Sequence, residues 1–190
     1  MRLQAAVIPP ASACEHLWAA LRRFEQPGQL SWLPRAQWRI RLAAFGNVSL
    51  GDAEALQGVF AREAAKLPVL TLRLAAVTPL PEDGDDSVWA GISGDTEGVQ
   101  RLAALIPTLS RNLGFLLDRR GFRPRVRLGR VTAATTVAYL QELEDALGGY
   151  EGPPWEVAGL AVGMQRNDEA SSDGALDVVN PLPFATGEDG

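Results

Sequence analysis

The chain has 190 residues, 46% of them hydrophobic and 22% charged, the proportions of a globular protein with one sizeable core or two small lobes sharing one. Its formal net charge of -5 excludes a generic, strongly basic nucleic-acid binder, so any anion site must be local. Cys14 is the only cysteine and His16 the only histidine, which excludes an intramolecular disulfide, a cysteine metal cluster, a polyhistidine zinc site and a two-histidine catalytic site.

Arg2 to Ile8 is short and apolar and stops at Pro9-Pro10, which predicts a strand. Ser12 is the expected cap of a helix to about Glu25, with Leu17, Leu21 and Phe24 at helical spacing and Pro27-Gly28 as its end. Cys14 and His16 fall inside this helix, as a small buried thiol and a surface or packing histidine. Trp32-Leu33-Pro34 leads into a strand from Trp38 to Phe45, closed by Gly46-Asn47. Asp52 is the expected cap of a helix to about Leu67, carrying Leu56, Val59, Phe60 and Ala64 on one face. Val69 to Val77 alternates, with Leu70, Leu72 and Leu74 on one face and Thr71 and Arg73 on the other. Pro79 to Asp86 is an acidic loop, and Ser87 to Ser93 a strand with Val88-Trp89-Ala90-Gly91-Ile92 largely buried.

A helix is expected over roughly Thr96 to Asp118, with Pro107 marking where it would break. Gly121 to Pro124 turns the chain into a strand from Arg125 to Val131. Thr135 to Leu147 reads as a helix with Val137, Leu140, Leu143 and Leu147 on one face, stopped by Gly148-Gly149. Trp155 to Met164 reads as a strand, Asn167 to Gly174 as a polar loop, Ala175 to Leu182 as a last strand, and Thr186 to Gly190 as a disordered tail. The sum is about four helices and seven or eight strands, several of them hairpin-related, so an α+β fold is expected, as one domain over residues 1–185. No apolar run approaches the roughly 18 residues that span a membrane, and none follows a basic start, so no signal peptide and a cytoplasmic location are expected.

Two stretches in this order look alike: Arg39-Ile40-Arg41-Leu42 and Arg125-Val126-Arg127-Leu128. A strand has a side-chain period of two, so each sends both guanidinium groups to one face and its apolar residues to the other. On spacing alone a solvated strand face also fits, because Lys66 is the only lysine and arginine supplies nearly every positive charge. Arg35, Arg73, Arg123 and Arg130 read as ordinary surface. Trp38 and Trp89 could stack a base, but read first as core. Glu82, Asp83, Asp85 and Asp86 offer carboxylates without a metal-ligand spacing and read as a solvated loop. There is no Gly-rich phosphate loop, and neither a cofactor nor a metal is called for.

The arginine stretches carry a family resemblance. The chain resembles the 2H phosphoesterase superfamily, in its bacterial 2′-5′ RNA ligase-like branch, also called RNA 2′,3′-cyclic phosphodiesterases. Arg2 to Pro10 resembles the family's opening strand. Trp32-Leu33-Pro34 through Trp38-Arg39-Ile40-Arg41-Leu42, then Phe45-Gly46-Asn47-Val48, resembles its first motif strand. Phe122-Arg123-Pro124-Arg125-Val126-Arg127-Leu128-Gly129-Arg130-Val131 resembles the second and is the most specific piece. Trp155-Glu156-Val157 to Asn180-Pro181-Leu182 is similar to the closing hairpin. The resemblance implies a two-lobed, pseudo-two-fold fold with a central cleft between antiparallel sheets and helices outside.

In that family each motif strand carries His-x-Thr, with the histidines as general base and general acid on a cyclic phosphodiester. Here the histidine positions match Arg39 and Arg125 and the threonine positions Arg41 and Arg127. A guanidinium has five N–H donors, no acceptor and a pKa above about 12, so it cannot take a proton from an attacking hydroxyl or water. It can bind phosphate through bidentate, charge-assisted bonds. The resemblance thus implies no catalytic residue and a phosphate-binding set of Arg39, Arg41, Arg125 and Arg127, facing a nucleotide or RNA end. Four converging cations also imply a bound anion or nearby carboxylates. Two alternatives stay open: a phosphoesterase that works through bound water and arginine electrostatics, and a non-catalytic scaffold whose cleft is closed by its own Arg–Asp or Arg–Glu pairs.

Overall fold

The computed structural model describes residues 2–117, 122–165, 176–177 and 181–185. In chain order these form β1 (Arg2–Val7), α1 (Ala11–Leu21), β2 (Leu30–Trp32), β3 (Ile40–Asn47), α2 (Leu50–Ala64), β4 (Leu70–Pro79) and β5 (Ser87–Gly94). There follow α3 (Thr96–Arg111), β6 (Arg125–Val131), α4 (Val137–Leu147), β7 (Trp155–Val157), β8 (Gly159–Gln165), β9 (Leu176–Asp177) and β10 (Leu182–Pro183). The strands join in the order β10-β8-β1-β3-β6-β5-β4-β7, with β2 added on β6 and β9 on β8, and every named strand pair is antiparallel. The fold is α+β, as expected.

The sheet has two halves that meet at one place. β3 belongs with β1 and β8, and α2 and α3 pack there; β6 belongs with β5, β4 and β7, and α1 and α4 pack against β4. β3 and β6 pair through a single opposed position, Ile40 with Val126. Both residues are fully buried, and both are the middle residues of the Arg-x-Arg stretches. The core on the apolar faces is filled by Phe24, Trp38, Leu56, Phe60 and Leu128, each nearly or completely removed from water.

The helix ends show where local chemistry decides. Ser49, not Asp52, caps α2: its hydroxyl accepts from the Asp52 N–H at 3.1 Å and donates to the Asp52 carboxylate at 2.7 Å. The helix stops at Ala64, short of Leu67. Ser12 caps nothing, because α1 already starts at Ala11 with Pro10 in the cap position. Beyond Leu21 the chain tightens into a 3₁₀ turn, Arg22–Phe24, whose Phe24 carbonyl accepts from the Tyr139 hydroxyl at 2.5 Å. α3 continues through Pro107, whose ring is buried, so tertiary packing outweighs the lost backbone bond. It ends at Arg111 because Gly114 turns left-handed with φ +85°, and the Phe115 N–H reaches back to the Ser110 carbonyl at 3.0 Å. Residue 118 lies outside the described residues.

Three other expectations change. Val137 is 80% exposed and Tyr139 takes the buried place in α4, because the helix begins only after its cap, Thr136, and its inner face starts two residues later. The single strand expected over Trp155 to Met164 is two, since β7 pairs with β4 and β8 with β1, at opposite ends of the sheet. The last strand is two short ones, with residues 178–180 outside the described set. The polar loop over 167–174 and the tail over 186–190 also lie outside it. Among the described residues no helix is long and apolar enough to cross a membrane.

Candidate functional site

Each arginine strand carries the same irregularity at the same place. On β3, Ala6 faces Arg41 and Ala5 faces Ala43, so Leu42 is an extra residue. On β6, Trp89 faces Arg127 and Val88 faces Gly129, so Leu128 is an extra residue. A bulge of this kind bends the strand and increases its twist. The Leu128 carbonyl freed at the second bulge accepts from the Leu33 N–H at 2.8 Å. β2 lies so close here that a Cβ on Gly129 would sit 2.8 Å from the Ser31 carbonyl oxygen.

Ile40 and Val126 point together into the core, so the flanking arginines face the other way. There, between the middle of the sheet and α3, lies a cleft of about 840 Å³. Arg39, Arg41, Arg125 and Arg127 all line it, with Arg123, Trp89, Phe122, Gln37 and Gln100 around them. Antiparallel pairing about Ile40 and Val126 sets Arg39 toward Arg127 and Arg41 toward Arg125.

The two strands hold their first arginine differently. Arg39 is buried; its Nε donates to Gln4 Oε1 at 3.1 Å and its Nη1 to the Gln37 carbonyl at 3.1 Å. Arg125 is held by charge and by an aromatic face. Its Nη1 donates to Glu82 Oε1 at 3.1 Å, its Nη2 lies 3.7 Å from Asp85 Oδ2, and its guanidinium carbon is 3.9 Å from the Trp89 ring centre. Arg127 approaches the same ring at 4.8 Å. Trp89 is fixed in turn by its Nε1–H, which donates to Asp85 Oδ2 at 2.8 Å. The Ser87 hydroxyl donates to Asp86 at 2.8 Å, and this bond, helped by Arg130 and Arg127, holds the Asp86 carboxyl below the usual range.

Four residues differ from their expected places. Trp89 is not core but half-buried in the cleft wall, because it alternates with the buried Val88 and Ala90 and opposes Arg127; Trp38, with 1% exposure, is core. Arg123 is not ordinary surface: it lines the cleft and bonds Glu82 Oε1 at 2.9 Å. Glu82 and Asp85 are not simply solvated, since they pair with Arg123 and Arg125. Gln4 is a partner that sequence reading passes over, though a glutamine inside the apolar run Leu3 to Val7 is its signal.

The lone histidine and cysteine lie elsewhere. His16 is exposed on α1 with Nδ1 at 2.7 Å from the Tyr150 hydroxyl, and burial pushes the Cys14 thiol up to about 11. Among the described residues, no histidine, aspartate or glutamate lines the cleft and no group of acidic, histidine or cysteine side chains is arranged to hold a metal ion. The wall is made of guanidinium groups, side-chain amides and apolar surface. It can orient an anion; its guanidinium groups cannot accept a proton.

No family model and no curated protein sequence matches this chain. Solved structures do. TT0787 of Thermus thermophilus superposes with a TM-score of 0.78 at 19% identity, over 97% of this chain and 98% of that one. E. coli LigT complexed with 3′-AMP gives 0.77 at 19% identity over the same shares, 97% and 98%. E. coli LigT complexed with phosphate gives 0.72 at 17%, again over 97% and 98%. These matches span nearly the whole of each chain, and on them this protein has the LigT-like fold of the 2H phosphoesterases.

Proposed function

We propose that this protein binds a phosphate-bearing ligand, a cytoplasmic nucleotide or RNA end, in the arginine-lined cleft and holds it without acid–base turnover. The observation that carries the reading is that Arg39, Arg41, Arg125 and Arg127, from two halves of the sheet, line one cleft. Guanidinium forks fixed in orientation match phosphate oxygens bidentately. Gln4 and Gln37 orient Arg39, and Asp85 and Trp89 orient Arg125, so part of the ordering cost is met before a ligand arrives. LigT, which shares the fold, is known in complexes with 3′-AMP, ATP, NADP+ and phosphate. The chemistry of arginine supports binding over hydrolysis, since general acid–base work needs a group that gains and loses a proton near neutral pH.

The test is a paired assay on an RNA oligomer ending in phosphate, either cyclic or open. Binding and ring opening are followed together, with an Arg39→Ala/Arg125→Ala protein alongside. Binding that weakens with salt and is lost in the variant, without turnover, is expected. Ring opening that disappears in the variant would sink the reading and restore a phosphoesterase. The scaffold alternative draws on the rim pairs of Glu82 with Arg123 and Arg125. It predicts no phosphate binding in either protein.

A further inference from the structure

One oxygen of Glu82 sits between two guanidinium groups. Its Oε1 is 2.9 Å from Arg123 Nη1 and 3.1 Å from Arg125 Nη1, the bridging position a phosphate oxygen would take. The neighbouring Asp85 is tied down: Oδ2 accepts from Trp89 Nε1 at 2.8 Å, Oδ1 accepts from the Ser87 N–H at 2.9 Å, and the side chain is 10% exposed. Glu82 is 42% exposed, and among the described residues its carboxylate has no other polar partner. It lies in the turn between β4 and β5, where Leu80 and Gly84 both have positive φ and the Asp85 N–H bonds the Glu82 carbonyl at 3.0 Å. The turn's backbone is therefore set while the Glu82 side chain can swing away.

From this geometry we infer that Glu82 is an internal anion which the ligand must replace, and that the vacated arginine site takes a terminal phosphomonoester over a cyclic phosphodiester. The inference rests on the phosphate-binding reading above. Releasing Glu82 removes one negative charge from two guanidinium groups. A cyclic diester brings back one charge on two non-bridging oxygens, so the exchange is even. A terminal monoester brings about 1.5 to 2 charges at pH 7 on three oxygens. It can satisfy Arg123 and Arg125 and still present an oxygen to Arg41, which is exposed, lines the same cleft and has no carboxylate partner among the described residues. Glu82 thus sets how tightly the site holds any phosphate, by competition, while the charge and oxygen count of the ligand set the preference.

Two RNA oligomers of one sequence, one with a 3′-phosphate and one with a 2′,3′-cyclic phosphate, are titrated into the wild-type protein, Glu82→Gln and Glu63→Gln. Wild type is expected to bind the 3′-phosphate roughly tenfold more tightly, the effect of one additional charge-assisted hydrogen bond. Glu82→Gln should bind both oligomers more tightly, and by about the same factor, because releasing Glu82 costs the same whichever ligand follows. Glu63 pairs with Lys66 at 2.7 Å, away from the cleft, and its variant should match wild type. Equal wild-type affinities, or a Glu82→Gln protein that binds neither oligomer more tightly than wild type, would overturn the inference. Failure of wild type to bind either oligomer would instead remove the phosphate-binding reading beneath it.

Discussion

Replacing Trp89 with alanine should weaken phosphate binding although the indole need never touch the ligand. Its ring lies 3.9 Å from the Arg125 guanidinium and 4.8 Å from that of Arg127, so one side chain steadies two of the proposed ligand contacts. Each such contact is worth about 0.5–1 kcal/mol when exposed and about 2 when desolvated; Arg125, with 22% of its side chain exposed, falls between. Without the ring both arginines lose part of their restraint, and the ligand must supply that ordering, at up to about 0.5–1.5 kcal/mol each. The sum, about 1–3 kcal/mol, corresponds to roughly tenfold to a hundredfold weaker binding. Calorimetric titration with a phosphate-ended RNA oligomer measures it. Trp89→Phe keeps a ring but loses the donor to Asp85, and should stay within about threefold of wild type. A Trp89→Ala protein that binds within twofold of wild type, while Arg39→Ala does not, would refute the reasoning.

Two further predictions concern the frame. Gly129→Ala places a Cβ 2.8 Å from the Ser31 carbonyl oxygen and 3.2 Å from Trp32 Cα, both backbone atoms that cannot turn aside, and should cost about 1–3 kcal/mol in urea unfolding. Unchanged stability would mean that β2 is not pressed against β6. The second is an alkaline limb in the stability curve. Burial raises the Cys14 thiol to about 11, the Tyr139 phenol to about 12 and the Tyr150 phenol above its ordinary value. A folded-state pKa above the unfolded one favours folding at lower pH, so this stability is whole below about pH 9 and is lost as pH rises toward 12. Thermal unfolding between pH 8 and 11.5 should show the decline, and Tyr139→Phe should flatten it.

Strand periodicity alone is enough to join Arg39 with Arg41 and Arg125 with Arg127. It does not bring the pairs together, because nothing local to either stretch says that Ile40 will oppose Val126; that expectation comes through the resemblance. Arg123 has the same parity as Arg125 and Arg127, but Pro124 between them breaks the strand signal. Trp89 reads as core because a tryptophan between Val88 and Ala90 fits a buried strand, although alternation with those two buried neighbours puts it on the opposite face, toward Arg127. The bulges have no mark of their own: Leu42 and Leu128 look like ordinary inward residues. Partners such as Glu82 and Gln4 are distant in sequence from the arginines they hold, so composition shows the supply of carboxylates and amides but not their destination.

The paired bulges also govern which changes in length the chain can bear. Each acts as a phase shifter. Strict alternation from Arg39 and Arg41 would carry Phe45 onto the cleft face, yet Phe45 is buried against Phe60 and Phe115, at ring distances of 5.8 and 6.1 Å. The extra leucine, together with a second register shift at Phe45, lets one strand turn Arg39 and Arg41 to the cleft and still bury Phe45. Losing that single residue, Leu42 in one half or Leu128 in the other, would put the two halves of the strand out of step and drive either a guanidinium inward or a core side chain into water. Deletions at these two leucines should therefore be far more damaging than a longer insertion in the exposed turn around Asp83 and Gly84, where no alternation has to be kept.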